Sequence, residues 1–599
     1  MDNLKQYAEW DPNSLTKRAA LDYIEGGIFD RKKKRIAFGT AGLRSAMDFD
    51  YASMNDLVIL QTCQGICKYS SSSNKRVAIG YDHRSRNEYS LSSLSFARMS
   101  VAVFIEHGWT VYLLEGNNDN NEFVPTPFVP FATRKYNCAH GIMVTASHNP
   151  KADNGFKLYG SNGCQIIPPH DTGIASAILE SLKPMHNYKY TDPEWSESTK
   201  EWKQQGVLFC GSELHNEVCS DYYNSISNLR SSELNEKMES FPNVCYTAMH
   251  GVGLPWIKQA FKTFKYPEEK LFTVKVQESP DPTFPTVSFP NPEEKGALDE
   301  AQRYASENNC NVIIANDPDA DRLAVAEKQS NGDWYVFTGN EIGVILGQYA
   351  IKKFQQTKNS DDNATPVVIA SVVSSRMLKA IAGVEDIKYV DTLTGFKWIG
   401  NEADRLSSTQ NCKILFAYEE ALGYMFGDVV LDKDGVSAAA IFMEMTTLLY
   451  AKGITLKDHL NQLRSQYGCF VSYNSYVISE DNTVTDRIFN RLRTGGDNGK
   501  YIMEVHGIKV KLIKDVSMGF DSSTTDGNLD MPTTPGSPMI MYEFENGVSM
   551  TLRASGTEPK LKYYTELSGK TEKETFKDLK DFVDKAIDFM FQPKENNLK

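Results

Sequence analysis

At 599 residues the chain is too long for one hydrophobic core and is expected to divide into several domains. Hydrophobic residues make up 41% and charged residues 24%, the globular norm. A formal net charge of −13 argues against general attraction to nucleic acid or to an anionic membrane surface, and leaves room for a locally basic cleft.

The start, Met1 to Trp10, is charged and lacks the apolar core of a secretory signal, and no apolar run reaches transmembrane length. Ten scattered cysteines include one close pair, Cys63 and Cys67, which is a poor zinc signal and suits a reducing compartment. A cytosolic protein is expected. Next, Val77-Ala78-Ile79-Gly80 reads as a buried strand, Tyr89 to Glu106 as a helix, and Val111-Tyr112-Leu113-Leu114 as a second strand. That is a βαβ unit, which builds parallel sheets. Polar, Pro-bearing residues 184–200 mark one domain boundary, with others expected near 335–340 and 465–475.

Three apolar strands then run straight into polar loops. Gly141-Ile142-Met143-Val144 leads into Thr145-Ala146-Ser147-His148-Asn149-Pro150. Val312-Ile313-Ile314-Ala315 leads into Asn316-Asp317-Pro318-Asp319-Ala320-Asp321-Arg322. Ile414-Leu415-Phe416-Ala417 leads into Tyr418-Glu419-Glu420-Ala421-Leu422-Gly423. In open parallel sheets ligands bind beyond the carboxyl ends of strands, so the three ends are expected to face one cleft.

Asp317, Asp319 and Asp321 alternate at i, i+2 and i+4, which in extended backbone points their side chains the same way. Three adjacent carboxylates repel, and a hard divalent cation such as Mg²⁺ relieves that repulsion while sharing its remaining positions with phosphate. A solvated acidic turn is the alternative, which the apolar Leu323-Ala324-Val325-Ala326 that follows makes less fitting. Ser147, taken alone, suits a helix cap as well as a phosphate-handling hydroxyl. His148 and Lys157 add a proton-moving group and a cation nearby. Farther on, residues 519–538 read as a long exposed loop, and Phe576, Leu579, Val583, Ala586 and Ile587 as the apolar stripe of a closing helix. Between them, Arg553-Ala554-Ser555-Gly556-Thr557-Glu558-Pro559-Lys560 offers a guanidinium, hydroxyls and a permissive glycine. It reads as an anion nest or an ordinary Ser-Gly turn.

These segments, in this order, resemble the α-D-phosphohexomutase superfamily, together with Phe38-Gly39-Thr40-Ala41-Gly42-Leu43-Arg44 and Thr394-Gly395-Phe396-Lys397. Met54-Asn55-Asp56-Leu57 and Val430-Leu431-Asp432-Lys433-Asp434-Gly435-Val436 are similar to its phosphoglucomutase-2 and phosphopentomutase branch. The resemblance implies an α/β fold of four domains around a central cleft: three related α/β domains with mixed sheets and a smaller C-terminal α+β domain. The expected divisions are 1–208, 209–337, 338–468 and 469–599.

It also implies an isomerase that transfers phosphoryl groups. Ser147 is then the phosphorylated residue, whose phosphate completes a Mg²⁺ site made by Asp317, Asp319 and Asp321. Arg44, His148 and Lys157 match positions for proton transfer or charge stabilisation. Arg44, Arg322, Thr394, Gly395, Lys397, Glu419, Ala421, Arg553, Ser555, Gly556, Thr557 and Lys560 are the expected substrate contacts.

The expected ligands are a small phosphosugar and an activating sugar bisphosphate, glucose 1,6-bisphosphate or pentose 1,5-bisphosphate. No nucleic acid or membrane partner is expected, and a monomer is expected ahead of a homodimer. One departure bears on specificity. Hexose-specific relatives read Glu-x-Ser where this chain reads Glu419-Glu420-Ala421. Loss of that hydroxyl relaxes hexose preference and fits a pentose as well as a glucose phosphate. A glucose 1,6-bisphosphate synthase, a metal-dependent phosphatase and a non-catalytic ligand-binding relative are the rival readings.

Overall fold

Strands buried on both faces carry the loops singled out above, as strands covered by helices on each side must be. In the computed structural model, which describes residues 2–26, 34–39, 42–70, 74–115, 123–186, 188, 206–358, 363–479, 481–496, 499–533, 536–554 and 560–599, the first such sheet has six strands. Their order is Leu43–Ala46, Asp153–Tyr159, His140–Val144, Arg76–Tyr81, Thr110–Leu114, Val207–Phe209. Arg76–Tyr81 pairs parallel with both His140–Val144 and Thr110–Leu114, so the expected βαβ unit is present. Its helix is shorter than expected, Ser93–Glu106. Residues Asn87–Tyr89 form a 3₁₀ turn instead, and Ser92 starts the α-helix by a reciprocal cap with Ser95.

A second, five-stranded sheet is ordered Leu271–Thr273, Val244–Thr247, Val312–Ala315, Ala324–Lys328, Trp334–Val336. Val312–Ala315 runs parallel to Val244–Thr247 and antiparallel to Ala324–Lys328, so the sheet is mixed. A hairpin, Cys412–Glu419 with Gly423–Phe426, lies among the helices Gly339–Thr357, Phe396–Gln410 and Gly435–Tyr450. Gly435–Tyr450 is buried almost from end to end, which is why it shows no polar stripe on one face.

The chain forms two compact units, Met1–Ile369 with Gly395–Leu456, and Ala370–Thr394 with Lys457–Lys599. The second contains an antiparallel sheet built on Lys560–Gly569, Ser549–Ala554, Met539–Phe544 and Ile508–Asp515, with the helices Asn482–Thr494 and Glu572–Phe591 sharing its core. Leu579, Val583 and Ala586 of the closing helix are buried as expected. Phe576 is not: it is 40% exposed and meets Tyr473 edge-on.

All ten cysteines are free thiols, and among the described residues no helix is long and apolar enough to cross a membrane. The boundary expected near 184–200 lies almost entirely outside the described residues.

Candidate active site

Ser147 leaves the His140–Val144 strand in left-handed backbone, φ +53°, a conformation that costs a non-glycine residue about 1–2 kcal/mol. Its N–H donates to Thr145 Oγ1 at 2.8 Å. No helix follows; a turn leads into the Asp153–Tyr159 strand. The capping alternative is therefore corrected: the hydroxyl serves no helix end and instead donates to Asp317 Oδ2 at 2.7 Å. His148 Nδ1 lies 3.3 Å from the same hydroxyl oxygen.

Asp317, Asp319 and Asp321 do converge, with ligand oxygens all within 4.8 Å of one another and no exposed surface. The route differs from the extended strand that the alternation predicts. Ala320 adopts φ +56° and its N–H bonds to Asp317 O at 2.9 Å, so a tight turn folds the carboxylates together. Asn316 pins the base of this turn, donating to Arg322 O at 2.6 Å and accepting from Tyr246 OH at 2.9 Å. Gly435 packs beneath, where a Cβ would come within 2.3 Å of Arg322 O and 2.8 Å of Ala320 O. Only glycine fits there.

Lys157 reaches across from the Asp153–Tyr159 strand. Its Nζ lies 2.7 Å from Asp319 Oδ2 and 2.9 Å from Asp321 Oδ2. Thr126 adds a hydroxyl to Asp319 Oδ2 at 2.6 Å. Burial works against the Lys157 ammonium, yet the two aspartates outweigh it and raise its pKa. Burial alone would raise the Asp319 carboxyl; Lys157 holds it far below the usual carboxylate range. Asp317 is pushed well up by burial and by repulsion from Asp319 and Asp321.

Asp319 Oδ1 and Asp321 Oδ1 are buried and accept no hydrogen bond. An acceptor left so would cost about 1–3 kcal/mol or more, and a hard divalent cation answers it. The donor set, all carboxylate oxygen beside a serine hydroxyl, fits Mg²⁺.

Glu419 stands in the last position of the Cys412–Glu419 strand, not in the loop beyond it. Ala421 lies in the following turn, and Leu422, at φ +60°, accepts the Leu323 N–H at 3.1 Å. The aspartate turn and the Glu419 turn are thereby joined backbone to backbone. Burial raises the Glu419 carboxyl above its usual range, with Lys433 working against that shift. Arg322 lies between the two turns, 3.9 Å from Asp317 and Asp321 carboxylate oxygens and 3.7 Å from Glu293. Burial, reinforced by Arg322 and Arg44, holds His148 well below the ordinary histidine value.

Arg44 is exposed on the Leu43–Ala46 strand and donates to Asn149 Oδ1 at 3.2 Å, which brings it to the serine loop. The preceding Gly42, φ +85°, lets that strand approach: a Cβ would fall 1.8 Å from Phe156 O. Gly395, φ +105°, precedes the Phe396–Gln410 helix, and Lys397 in its first turn lies over Trp398. Thr394, Arg553 and Lys560 belong to the second compact unit. Arg553 is on the Ser549–Ala554 strand opposite Lys562, and Lys560 Nζ is 5.0 Å from the Tyr476 ring centre. Ser555, Gly556 and Thr557 lie outside the described residues.

Two features escaped the strand-end reading. Lys433 is buried, 3.5 Å from Asp321 and 3.6 Å from Asp432; burial opposes its charge, but those carboxylates raise its pKa. Arg84 is buried beneath the serine loop. Its signal was present: the Arg76–Tyr81 strand also runs into a polar sequence, Asp82-His83-Arg84.

Family models for the α/β/α domains I, II and III of phosphoglucomutase/phosphomannomutase match residues 35–184, 220–332 and 338–467. The chain is 40% identical to a phosphopentomutase of Homo sapiens, over 99% of this chain and 96% of that one. It is 36% identical to a glucose 1,6-bisphosphate synthase of Homo sapiens, over 99% and 94%. In fold it is similar to a putative phosphomannomutase of Thermus thermophilus, with a TM-score of 0.64, 18% identity, and coverage of 93% of this chain and 99% of that one.

Proposed function

We propose that this chain, which belongs to the phosphoglucomutase/phosphomannomutase family and is a phosphosugar mutase, acts on pentose phosphates through a phosphorylated Ser147. It interconverts the 1- and 5-phosphates of ribose and deoxyribose, and also the 1- and 6-phosphates of glucose. The observation that carries the reading is the 2.7 Å contact of Ser147 Oγ with Asp317, two residues 170 positions apart.

A hydroxyl of the bound sugar monophosphate attacks the phosphorus of phospho-Ser147. The bond from phosphorus to Ser147 Oγ breaks, and the proton of the attacking hydroxyl passes to Ser147 through a neighbouring group; Arg44, His148 and Lys157 divide proton transfer and charge stabilisation between them. The sugar bisphosphate turns over and returns its other phosphate to Ser147. Mg²⁺ held by Asp317, Asp319, Asp321 and an oxygen of phospho-Ser147 would neutralise charge on the transferring group. Arg322 shares that charge, and Glu419, with Lys397, orients the sugar. The Arg553–Lys560 segment holds the phosphate that is not reacting. Such a division suits a reaction whose barrier is lowered mainly by positioning and electrostatics.

Support for a pentose comes from Ala421, which offers no hydroxyl, and from the phosphopentomutase relative. The 36% identical glucose 1,6-bisphosphate synthase favours a second reading, with a different phosphate donor. Parallel kinetics on ribose 1-phosphate, deoxyribose 1-phosphate and glucose 1-phosphate, with Mg²⁺ and a bisphosphate activator, test the first. Comparable or better turnover of the pentoses is expected, and a strong glucose preference overturns it. Bisphosphate formation from 1,3-bisphosphoglycerate with little isomer would favour the second.

A further inference from the structure

We propose that Arg84 is a positioning residue, which holds the Ser147 loop in the shape required for phosphoryl transfer. The proposal rests on the reading of Ser147 as phosphoryl carrier. The loop from Ser147 to Asp153 folds so that four of its carbonyls turn toward one guanidinium. Arg84 Nη2 donates to Ser147 O at 2.6 Å and Asn149 O at 2.7 Å, and Nη1 donates to Pro150 O at 2.9 Å and Asp153 O at 3.0 Å. A planar fork with several fixed donors can serve four carbonyls at once; an ammonium, with three donors on one atom, cannot.

The guanidinium is itself locked. Its Nε lies 3.5 Å from Asp82 Oδ2, and the Arg84 N–H donates to Asp82 Oδ1 at 3.1 Å. Ser93 Oγ donates to the same Asp82 oxygen at 2.5 Å. The Phe284 ring covers the guanidinium carbon at 5.3 Å. The Arg84 side chain has no exposed surface, and its four hydrogen bonds all go to backbone carbonyls of the loop.

What it fixes is the backbone. Ser147 sits at φ +53°, a left-handed conformation that persists only where its surroundings impose it. The carbonyl of Ser147 is one of the four held groups. Releasing it frees the residue to return to ordinary backbone and swings Oγ away from Asp317.

Arg84→Lys and Arg84→Ala enzymes test this with three readouts: phosphorylation of Ser147 by glucose 1,6-bisphosphate and Mg²⁺, the split of kcat against KM, and rescue by guanidinium ion. In the folded Arg84→Lys enzyme we expect Ser147 phosphorylation and kcat to fall roughly 100-fold, with KM little changed. Guanidinium well below denaturing concentrations should restore part of kcat in Arg84→Ala and do nothing for the wild type. If Arg84→Ala does not fold, Arg84→Lys decides alone. Wild-type kcat per folded Arg84→Lys molecule overturns the inference, as does a loss confined to KM. A wild-type enzyme that never carries phosphate on Ser147 overturns the underlying reading as well, which separates the two failures.

Discussion

Lys157 and Asp319 form a buried ion pair, Nζ to Oδ2 2.7 Å, between a strand and a turn, the two residues 162 positions apart in the chain. The same ammonium reaches Asp321 at 2.9 Å. One cation thus ties the element after the serine loop to the aspartate turn, and offsets part of the repulsion among three carboxylates.

Removing one member of a buried pair leaves the other charge uncompensated, at a cost of about 3–5 kcal/mol. Lys157→Met is therefore expected to lower unfolding free energy by that order in urea titrations without metal. Mg²⁺ should recover more stability in the variant than in the wild type, because the divalent cation supplies the charge that was removed. An equal gain in both would contradict the arrangement.

The oxygens Asp319 Oδ1 and Asp321 Oδ1 accept no hydrogen bond. A chelator should abolish turnover and lower the melting temperature, and Mg²⁺ should restore both. Asp321→Asn should melt at the same temperature with and without Mg²⁺. A thermal shift on Mg²⁺ addition as large as that of the wild type would place the cation elsewhere.

In the function proposed above, Ala421 stands where hexose-specific relatives carry a serine. Ala421→Ser is expected to move the ratio of kcat/KM for glucose 1-phosphate over ribose 1-phosphate upward by roughly tenfold, about what one added hydrogen bond contributes. An unchanged ratio would remove Ala421 from the account of specificity.

His83 is buried between the rings of Phe123 and Phe284. Burial, partly offset by Asp82, lowers its pKa to about 4, against about 6.5 in the unfolded chain. Between those values the unfolded chain binds a proton that the folded chain does not. The stability contributed by neutral His83 is then complete above about pH 6.5 and lost as pH falls toward 4, a swing of about 3 kcal/mol. Denaturation series across this range should show a shallower pH dependence for His83→Phe than for the wild type. Parallel slopes would mean that other groups carry the acid sensitivity.

Much of the site was legible because parallel strands leave a plain mark: an apolar run too short for a helix, then abruptly polar residues. Val312–Ala315 and the aspartates after it are the clearest case. The fine geometry was not legible. The alternation of Asp317, Asp319 and Asp321 foretold convergence, but by an extended backbone; the turn depends on Ala320 entering left-handed space, which nothing in its side chain announces. Ser147 looked like a cap because serine beside Asn-Pro usually is one, and only the strand after the turn shows otherwise. Arg84 and Lys433 act through partners far away in the chain, Arg84 on the carbonyls of residues 147–153 and Lys433 on Asp321. A strand end marks Arg84 in the sequence, but spacing does not name the partners of either residue. Phe576, which helical spacing puts on the buried stripe of the closing helix, is left 40% exposed.

The most direct test of the central claim is to follow labelled phosphate through the enzyme. Incubation with radiolabelled glucose 1,6-bisphosphate and Mg²⁺ should place the label on Ser147, as read by peptide mapping. Addition of unlabelled ribose 5-phosphate should then discharge it into ribose 1,5-bisphosphate as fast as the enzyme turns over. A Ser147→Ala protein should take up no label and interconvert no sugar phosphate. Isomerisation by Ser147→Ala at the wild-type rate, or label that stays on Ser147 while isomer accumulates, would contradict it.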